Sequence, residues 1–185
     1  KEIAKINTID ITVEYFEKFY KTSDLMKRLF DMSIKKSLEK TDKRTYQAME
    51  AFVHNLNTMH SRAGAQVPFS SINFGTDISS EGRMATKNYM LASEAGLGQG
   101  ETPIFPISIF KVKEGVNYNP GDPNYDLFKL SLRVSAKRLF PNWSFLDSSF
   151  NKPYYKAGDY RTEVGYMGCR TRVIGNVVDP DKEIT

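Results

Sequence analysis

The stretch VPFSSINFGTDISSEGRMATKNYMLASEAG, residues 67–96, decides the fold class, because it holds a strand, a turn and a helix in succession. We predict the strand over 67–74, where Pro68 indicates an edge position or a bulge. A second strand is predicted over 104–112, so the unit runs strand–helix–strand. Such alternation predicts an α/β fold with a mainly parallel sheet.

The helix of this unit has recognisable start and stop signals. Ser79, at the head of Ser-Ser-Glu81, belongs to a residue type that caps helix N-termini. The helix is predicted to run to about Ala95. The glycine-rich segment 96–100 follows a helix and does not open one, so it is predicted to end the helix rather than to cradle a phosphate.

Two more helices are predicted before the unit. The first spans 12–39, with Thr22-Ser23-Asp24 as a candidate break, and the second opens at Thr41-Asp42. Their apolar stripes exceed what one small core face needs, so they serve either a dimer contact or a larger core. The stripe residues are Phe16, Phe19, Tyr20, Leu25, Met26, Leu29, Phe30, Ile34 and Leu38, then Tyr46, Met49, Phe52, Val53, Leu56 and Met59.

A last helix is predicted through 127–139, with Asp122 as its N-cap and Pro123 at its first position. The remaining predicted elements are a short strand over 143–146, a polar loop over 151–162 and a strand–loop–strand unit over 164–173.

Composition sets broad limits on function. The chain has 185 residues, a net charge of +4 and a single cysteine. One cysteine excludes an internal disulfide and a multi-cysteine metal site. The basic residues are scattered and no apolar run approaches the ~20 residues of a membrane span. We expect a soluble, cytoplasmic protein with neither nucleic acid nor membrane as partner.

Cys169 lies at the tip of the predicted strand–loop–strand unit. Free cysteines are most often buried and inert, and that alternative stays open. Gly165 and Gly168 favour a flexible, exposed tip, however, and Arg170 and Arg172 favour a thiolate or attract an anion.

A thiol hydrolase would need a base beside Cys169. The only histidines are His54 and His60, on or just past the second predicted helix, and the sequence pairs neither with the cysteine. Two histidines and one cysteine also make a poor zinc site.

Short polar side chains cluster near the end of the first predicted strand. Ser70, Ser71 and Asn73 lie where α/β folds bind ligands, although ordinary turn chemistry explains them equally well.

Several long motifs together resemble the anaerobic (class III) ribonucleoside-triphosphate reductases. They are HSRAGAQVPFSSIN (60–73), EAGLG (94–98), GETPIFP (100–106), FKVKEGVN (110–117), NPGDPNYDLF (119–128) and YMGCRT (166–171). The resemblance implies part of a ten-stranded α/β barrel that a finger loop threads. It matches Cys169 to the cysteine at the tip of that loop and Met167 to a neighbouring methionine.

The same resemblance implies radical chemistry. A glycyl radical converts the cysteine to a thiyl radical, the thiyl takes the 3′ hydrogen of the ribonucleotide, the 2′ hydroxyl leaves as water, and formate supplies the reducing equivalents. The implied partners are a ribonucleoside triphosphate substrate, ATP or deoxyribonucleotide effectors, a radical-SAM activase and a second copy of the chain.

For binding residues the resemblance implies two groups. Ser70, Ser71 and Asn73 are candidates on the substrate side. A specificity loop between effector and substrate corresponds to residues 75–83, with Gly75, Thr76, Asp77 and Arg83 as its candidates. Lys27 and Arg28 are weaker candidates for effector phosphates, since a solvated helix face explains them better.

The chain departs from the family pattern in four respects. It has no glycyl-radical motif, no second active-site cysteine and no four-cysteine zinc site, and a catalytic asparagine would fall beyond Thr185. We therefore expect a central fragment that is inactive alone. Its predicted parts are a helical dimer and effector region (1–60), alternating strands and helices (61–162) and the finger loop (163–175). The rival hypothesis is a non-catalytic nucleotide-binding or dimerisation module.

Overall fold

The computed structural model describes residues 24–60, 63–169, 171–175 and 183–184. This part of the chain contains three α-helices and six strands. In chain order they are α1 (Asp24–Thr58), β1 (Ser71–Phe74), α2 (Ser80–Ala95), β2 (Ile107–Val112), α3 (Tyr125–Arg138), β3 (Asn142–Phe145), β4 (Gly165–Met167), β5 (Thr171–Gly175) and β6 (Glu183–Ile184). The predicted loop 151–162 contains two 3₁₀ turns, Lys152–Tyr154 and Tyr160–Thr162.

The first three strands form one parallel sheet in the order β1-β2-β3, which confirms the predicted α/β class and strand direction. β1 and β2 begin later than predicted, at Ser71 and Ile107. Pro106, directly before β2, lacks the N–H that a ladder needs, which accounts for the later start of β2. β1 begins with it, since Ser71 pairs with Ile107. The ladder opens where the N–H of Ile107 donates to the carbonyl of Ser70 at 2.8 Å.

α1 is one continuous helix, so the predicted break at Thr41-Asp42 is wrong. The Thr41 hydroxyl donates to the carbonyl of Ser37 at 2.8 Å, a bond made inside a helix rather than at its cap. Residues 12–23 of the first predicted helix lie outside the described residues. So do Thr22 and Ser23 of the candidate break Thr22-Ser23-Asp24, while Asp24 is the residue at which α1 begins. Long as it is, α1 is too polar to cross a membrane, and no other helix in the described ranges is long and apolar enough.

The ends of α2 are as predicted, and the start of α3 is not. The Ser79 hydroxyl accepts the N–H of Gly82 at 3.1 Å, and the chain turns away at Gly96. α3 starts after Asn124 instead of Asp122. The Asp122 carboxylate accepts the N–H of Asn119 at 2.8 Å, so it stabilises the preceding turn and is not the helix cap.

The core lies between the sheet and the helices. Phe110 and Val112 of β2 are fully buried on the helical side. The residues that pack with them from the helices are Val53 of α1, Tyr89 and Met90 of α2, and Leu127 and Val134 of α3. Since side chains alternate along a strand, Ile109 and Lys111 point to the opposite face of the sheet.

The strand–loop–strand prediction for 164–173 is confirmed. β4 and β5 pair antiparallel, with Met167 opposite Thr171, and β6 adds to β5. Beneath this hairpin is a second, small apolar cluster made of Leu146, Val164 and Ile174.

Asp42 joins α1 to α2 through a partly exposed cluster. Its carboxylate accepts the Asn88 amide at 2.8 Å and lies 3.1 Å from the Lys87 ammonium. The Asn88 hydrogen bond, helped by Lys87, lowers the pKa of Asp42 despite partial burial. The charged form of Asp42 is thus favoured by folding.

Substituting Gly75 tests how tightly β1 and β2 approach at the end of the ladder. Gly75 has φ +118°, and a Cβ there would lie 2.9 Å from the Lys111 carbonyl oxygen. Gly121 is a matched control: its φ is +101°, but a Cβ would meet no other described atom within 4 Å. We expect Gly121→Ala to cost about 1–2 kcal/mol of unfolding free energy and Gly75→Ala about 2–5 kcal/mol, measured by urea unfolding. Equal losses would contradict the close approach.

Asp42→Asn tests the α1–α2 cluster through pH. Because the pKa of Asp42 is lower in the folded than in the unfolded chain, its contribution is present above the unfolded pKa and is lost as pH falls through the folded pKa. The side chain is 39% exposed, so we expect less than about 1 kcal/mol at neutral pH. Urea unfolding of both proteins should show this difference shrinking below about pH 4. A difference independent of pH would contradict the assignment.

Candidate functional site

β1 separates two environments, since its successive side chains point to opposite faces of the sheet. Ile72 and Phe74 pack against the helical core. Ser71 and Asn73 point the other way and bond to backbone groups of the β4–β5 hairpin. The hairpin therefore lies across the face of the sheet that the helices leave open.

Asn73 binds both backbone groups of one hairpin residue. Its Nδ2 donates to the carbonyl of Tyr166 at 2.7 Å, and its Oδ1 accepts the N–H of Tyr166 at 2.9 Å. Two residues along each strand, the Ser71 hydroxyl accepts the N–H of Gly168 at 2.9 Å. β4 is thus attached to β1 by side chains in place of a backbone ladder.

The hairpin tip approaches the sheet closely just before the cysteine. Gly168 has φ +67°, and a Cβ there would lie 3.2 Å from the Phe69 ring, so glycine suits both the turn and the contact. Phe69 in turn meets Phe105 edge to face at 5.3 Å. Cys169 follows as an exposed thiol, and Met167 is 59% exposed on the other side of the turn.

The base of the hairpin is held by an ion pair. Glu163 pairs with Lys111 of β2, and their side chains are only 16% and 15% exposed. The same carboxylate oxygen accepts the Thr76 hydroxyl at 2.9 Å. A carboxylate removed from water needs such partners, so Glu163 ties together the hairpin, β2 and the turn after β1.

The predicted specificity loop is held from within. The carbonyl of Gly75 accepts the side-chain amides of Asn117 and Asn124, both at 3.0 Å and both fully buried. Asn124 also donates to the carbonyl of Asp77 at 2.8 Å. These bonds fix the backbone of the turn between β1 and α2.

The predicted loop 75–83 is too long, because α2 begins at Ser80 and contains Arg83. Two polar side chains of this range have intramolecular partners as well. The Asp77 carboxylate accepts the N–H of Ser79 at 2.8 Å, and Arg83 forms a 2.8 Å ion pair with Asp126 and a 2.6 Å bond to Asn124. Arg83 therefore connects α2 to the start of α3 and lies apart from the hairpin contacts.

The arginines predicted beside the thiol differ in what the structure says of them. Arg170 lies outside the described residues. Arg172 donates to the carbonyl of Phe150 and to Asn151, both at 3.2 Å, and its guanidinium lies 5.7 Å from the Tyr154 ring. Arg172 is thus engaged by the loop at 150–154, so the prediction that it serves the sulfur is not supported.

The glycine-rich segment 96–100 is a helix end, as predicted. The N–H of Gly96 donates to the carbonyl of Ala92 at 3.1 Å. Arg138 reaches it from α3, donating to the carbonyls of Gly100 at 2.7 Å and of Glu94 at 2.7 Å. The segment thus presents carbonyl oxygens to a cation, whereas a phosphate site presents backbone N–H groups.

Only some of the predicted site residues are brought together. Ser71 and Asn73 contact the hairpin, and Thr76 joins it through Glu163. The Ser70 hydroxyl makes a long 3.4 Å contact with the carbonyl of Pro68. Among the described residues, no three His, Cys, Asp or Glu side chains converge as a metal site would require.

Sequence reasoning missed Lys111 and Glu163. A lysine between two apolar residues of a buried strand was a usable signal, since it must face the side away from the core. Nothing near Glu163 indicated its partner, which lies far back along the chain.

Comparison with known proteins gives concordant matches. The model of the family described as anaerobic ribonucleoside-triphosphate reductase matches residues 6–183. The chain is 38% identical over 133 residues to the anaerobic ribonucleoside-triphosphate reductase of Enterobacteria phage T4, covering 71% of this chain and 21% of that protein.

Two bacterial proteins of the same name are also similar. The chain is 32% identical over 133 residues to the protein of Escherichia coli K12, covering 71% of this chain and 18% of that protein. For Haemophilus influenzae the values are 31% over 131 residues, 70% and 17%. The matched part spans about a fifth of the length of these curated relatives, and with the family model it shows that the chain belongs to the anaerobic ribonucleoside-triphosphate reductase family.

Proposed function

We propose that this chain is the part of an anaerobic ribonucleoside-triphosphate reductase that presents the radical cysteine, Cys169, to a ribonucleoside triphosphate. One observation carries the proposal. In this chain, which belongs to the family, the β4–β5 hairpin lies across the open face of the parallel sheet and has an exposed thiol at its tip. Within the whole protein, the sheet is part of the ten-stranded barrel and the hairpin is its finger loop.

The proposed step is a hydrogen-atom transfer at Cys169. The C3′–H bond of the ribose breaks homolytically, an S–H bond forms on Cys169, and the 2′ hydroxyl takes up a proton and leaves as water. Formate gives up its hydrogen with two electrons and becomes carbon dioxide, so a C2′–OH becomes a C2′–H. The S–H hydrogen of Cys169 then returns to C3′, which restores the thiyl radical. The glycyl radical, generated by a radical-SAM activase on a part of the protein outside these residues, supplies the unpaired electron.

This chemistry does not require a base beside Cys169, with which the sequence pairs neither histidine. A thiyl radical needs a site closed to solvent more than it needs a proton acceptor. Cys169 and Met167 are both exposed in the described part of the chain, so the remaining barrel strands must cover them. We therefore propose that the 185 residues alone are inactive. The four-cysteine zinc site of the family does not fit this chain, which has one cysteine.

The binding roles follow from position. Ser70 lies beside the hairpin and is proposed to face the substrate. Ser71 and Asn73, predicted for the same side, have side chains that bond to the hairpin backbone. Residues 75–83 cover the turn after β1 and the first residues of α2. This connection suits a specificity region that responds to ATP or deoxyribonucleotide effectors.

α1 is proposed as the homodimer element. Its first turns expose large apolar side chains, namely Leu25, Met26, Leu29 and Met32. Exposed apolar surface of this kind marks a protein interface. The same observation also fits the second candidate function, a dimerisation or nucleotide-binding module in which Cys169 has no chemical role.

Cys169→Ser in the intact protein separates the two candidates. With activase, formate and a ribonucleoside triphosphate, we expect deoxyribonucleotide formation to vanish while the glycyl radical signal persists in electron paramagnetic resonance, because serine cannot form the thiyl. Thr171→Ser, exposed and just past the tip, is the matched control and should retain turnover. Retained turnover in Cys169→Ser would leave the segment as a binding module.

A further inference from the structure

We propose that Asn73, assisted by Ser71, is a positioning residue for Cys169. The two side chains supply the hydrogen bonds that a neighbouring β-strand would otherwise give to the hairpin. The inference rests on the proposed role of Cys169. Its position near the strand end predicts that Asn73 contacts the substrate. The present inference assigns it a different function.

Backbone accounting motivates the proposal. In an antiparallel pair, the N–H and C=O of one residue point to the partner strand and those of the next point away. The groups of Tyr166 point away from β5, and so does the N–H of Gly168, since all three bond to side chains of β1. Groups of this kind need partners, and here each partner is a side chain.

The chemistry of the side chains fits the task. A carboxamide offers one donor and one acceptor in a plane, as a peptide group does, so Asn73 meets both groups of Tyr166 at 2.7 and 2.9 Å. A carboxylate of the same shape offers only acceptors, so one of its oxygens would repel the Tyr166 carbonyl oxygen. The Ser71 hydroxyl meets the remaining N–H at 2.9 Å.

The anchor points lie where they control the tip. Gly168 immediately precedes Cys169, and its left-handed backbone is where the chain turns. Ser71 and Asn73 are themselves held in the parallel ladder, opposite Ile107 and Ile109 of β2. Three hydrogen bonds therefore fix the position of the thiol relative to the sheet. Misplacement of a reacting atom by about 1 Å can reduce a rate about a hundredfold.

Asn73→Asp tests the proposal with almost no change of shape. In the intact, activated protein we expect kcat to fall at least tenfold, with KM for the ribonucleoside triphosphate unchanged within about twofold and an unchanged glycyl radical signal. Asn142→Asp is the matched control, since Asn142 is opposite Ile109 and therefore on the same face of the sheet. It should leave both constants unchanged. A raised KM at constant kcat would make Asn73 a substrate contact and overturn the positioning role.

Hydrogen–deuterium exchange separates this inference from the function on which it rests. In the intact protein, we expect the amides of Tyr166 and Gly168 to exchange roughly tenfold faster in Asn73→Asp, and Gly168 alone to do so in the milder Ser71→Ala. Unchanged exchange would overturn the role given to the Asn73 hydrogen bonds even if Cys169→Ser abolishes turnover. Faster exchange with wild-type kcat would confirm the hydrogen bonds of Asn73 but overturn its positioning role. If Cys169→Ser retains turnover, the proposed function fails although the exchange result stands.

Discussion

The alternation of side chains along β1 is the constraint on which the rest of the molecule depends. Four residues divide between two tasks: Ile72 and Phe74 join the core under the helices, and Ser71 and Asn73 hold the hairpin on the other face. A shift of one residue in register would turn the apolar pair toward the hairpin and the polar pair into the core. The parallel ladder to β2 therefore fixes the helical layer and the cysteine tip at once.

Two kinds of bond surround the hairpin, and they act at different depths. At the base, Glu163 and Lys111 form a mostly buried ion pair, whose strength depends on both partners being present. Nearer the tip the contacts are neutral hydrogen bonds and a glycine resting on an aromatic ring. The ion pair thus holds the base of the hairpin against the sheet, while the geometry of the hydrogen bonds determines the position of its tip.

Much of the fold could be predicted from the sequence because its signals are local. Ser79 and Gly96 mark helix ends through bonds within a few residues, and the strand–helix alternation implies parallel strands. Thr41-Asp42 and Asp122 carried the same kind of signal and were misread. In the first case the Thr41 hydroxyl bonds to the Ser37 carbonyl and the Asp42 carboxylate bonds to Asn88 of α2, so neither side chain caps a helix N-terminus. The role of Asn73 could not be predicted, because its partner Tyr166 lies 93 residues away.

Because the hairpin is attached by side chains, it does not occupy the outer backbone edge of β1 in the described part of the chain. β2 occupies the centre of the parallel sheet, with β1 and β3 as its margins. In the described residues, the hairpin uses the face of β1 and not its outer row of peptide groups. Further strands can therefore add beside β1 without displacing the hairpin, so the sheet can be widened around an already seated loop. A strand that pairs with β1 would thus leave the three hydrogen bonds between β1 and the hairpin in place.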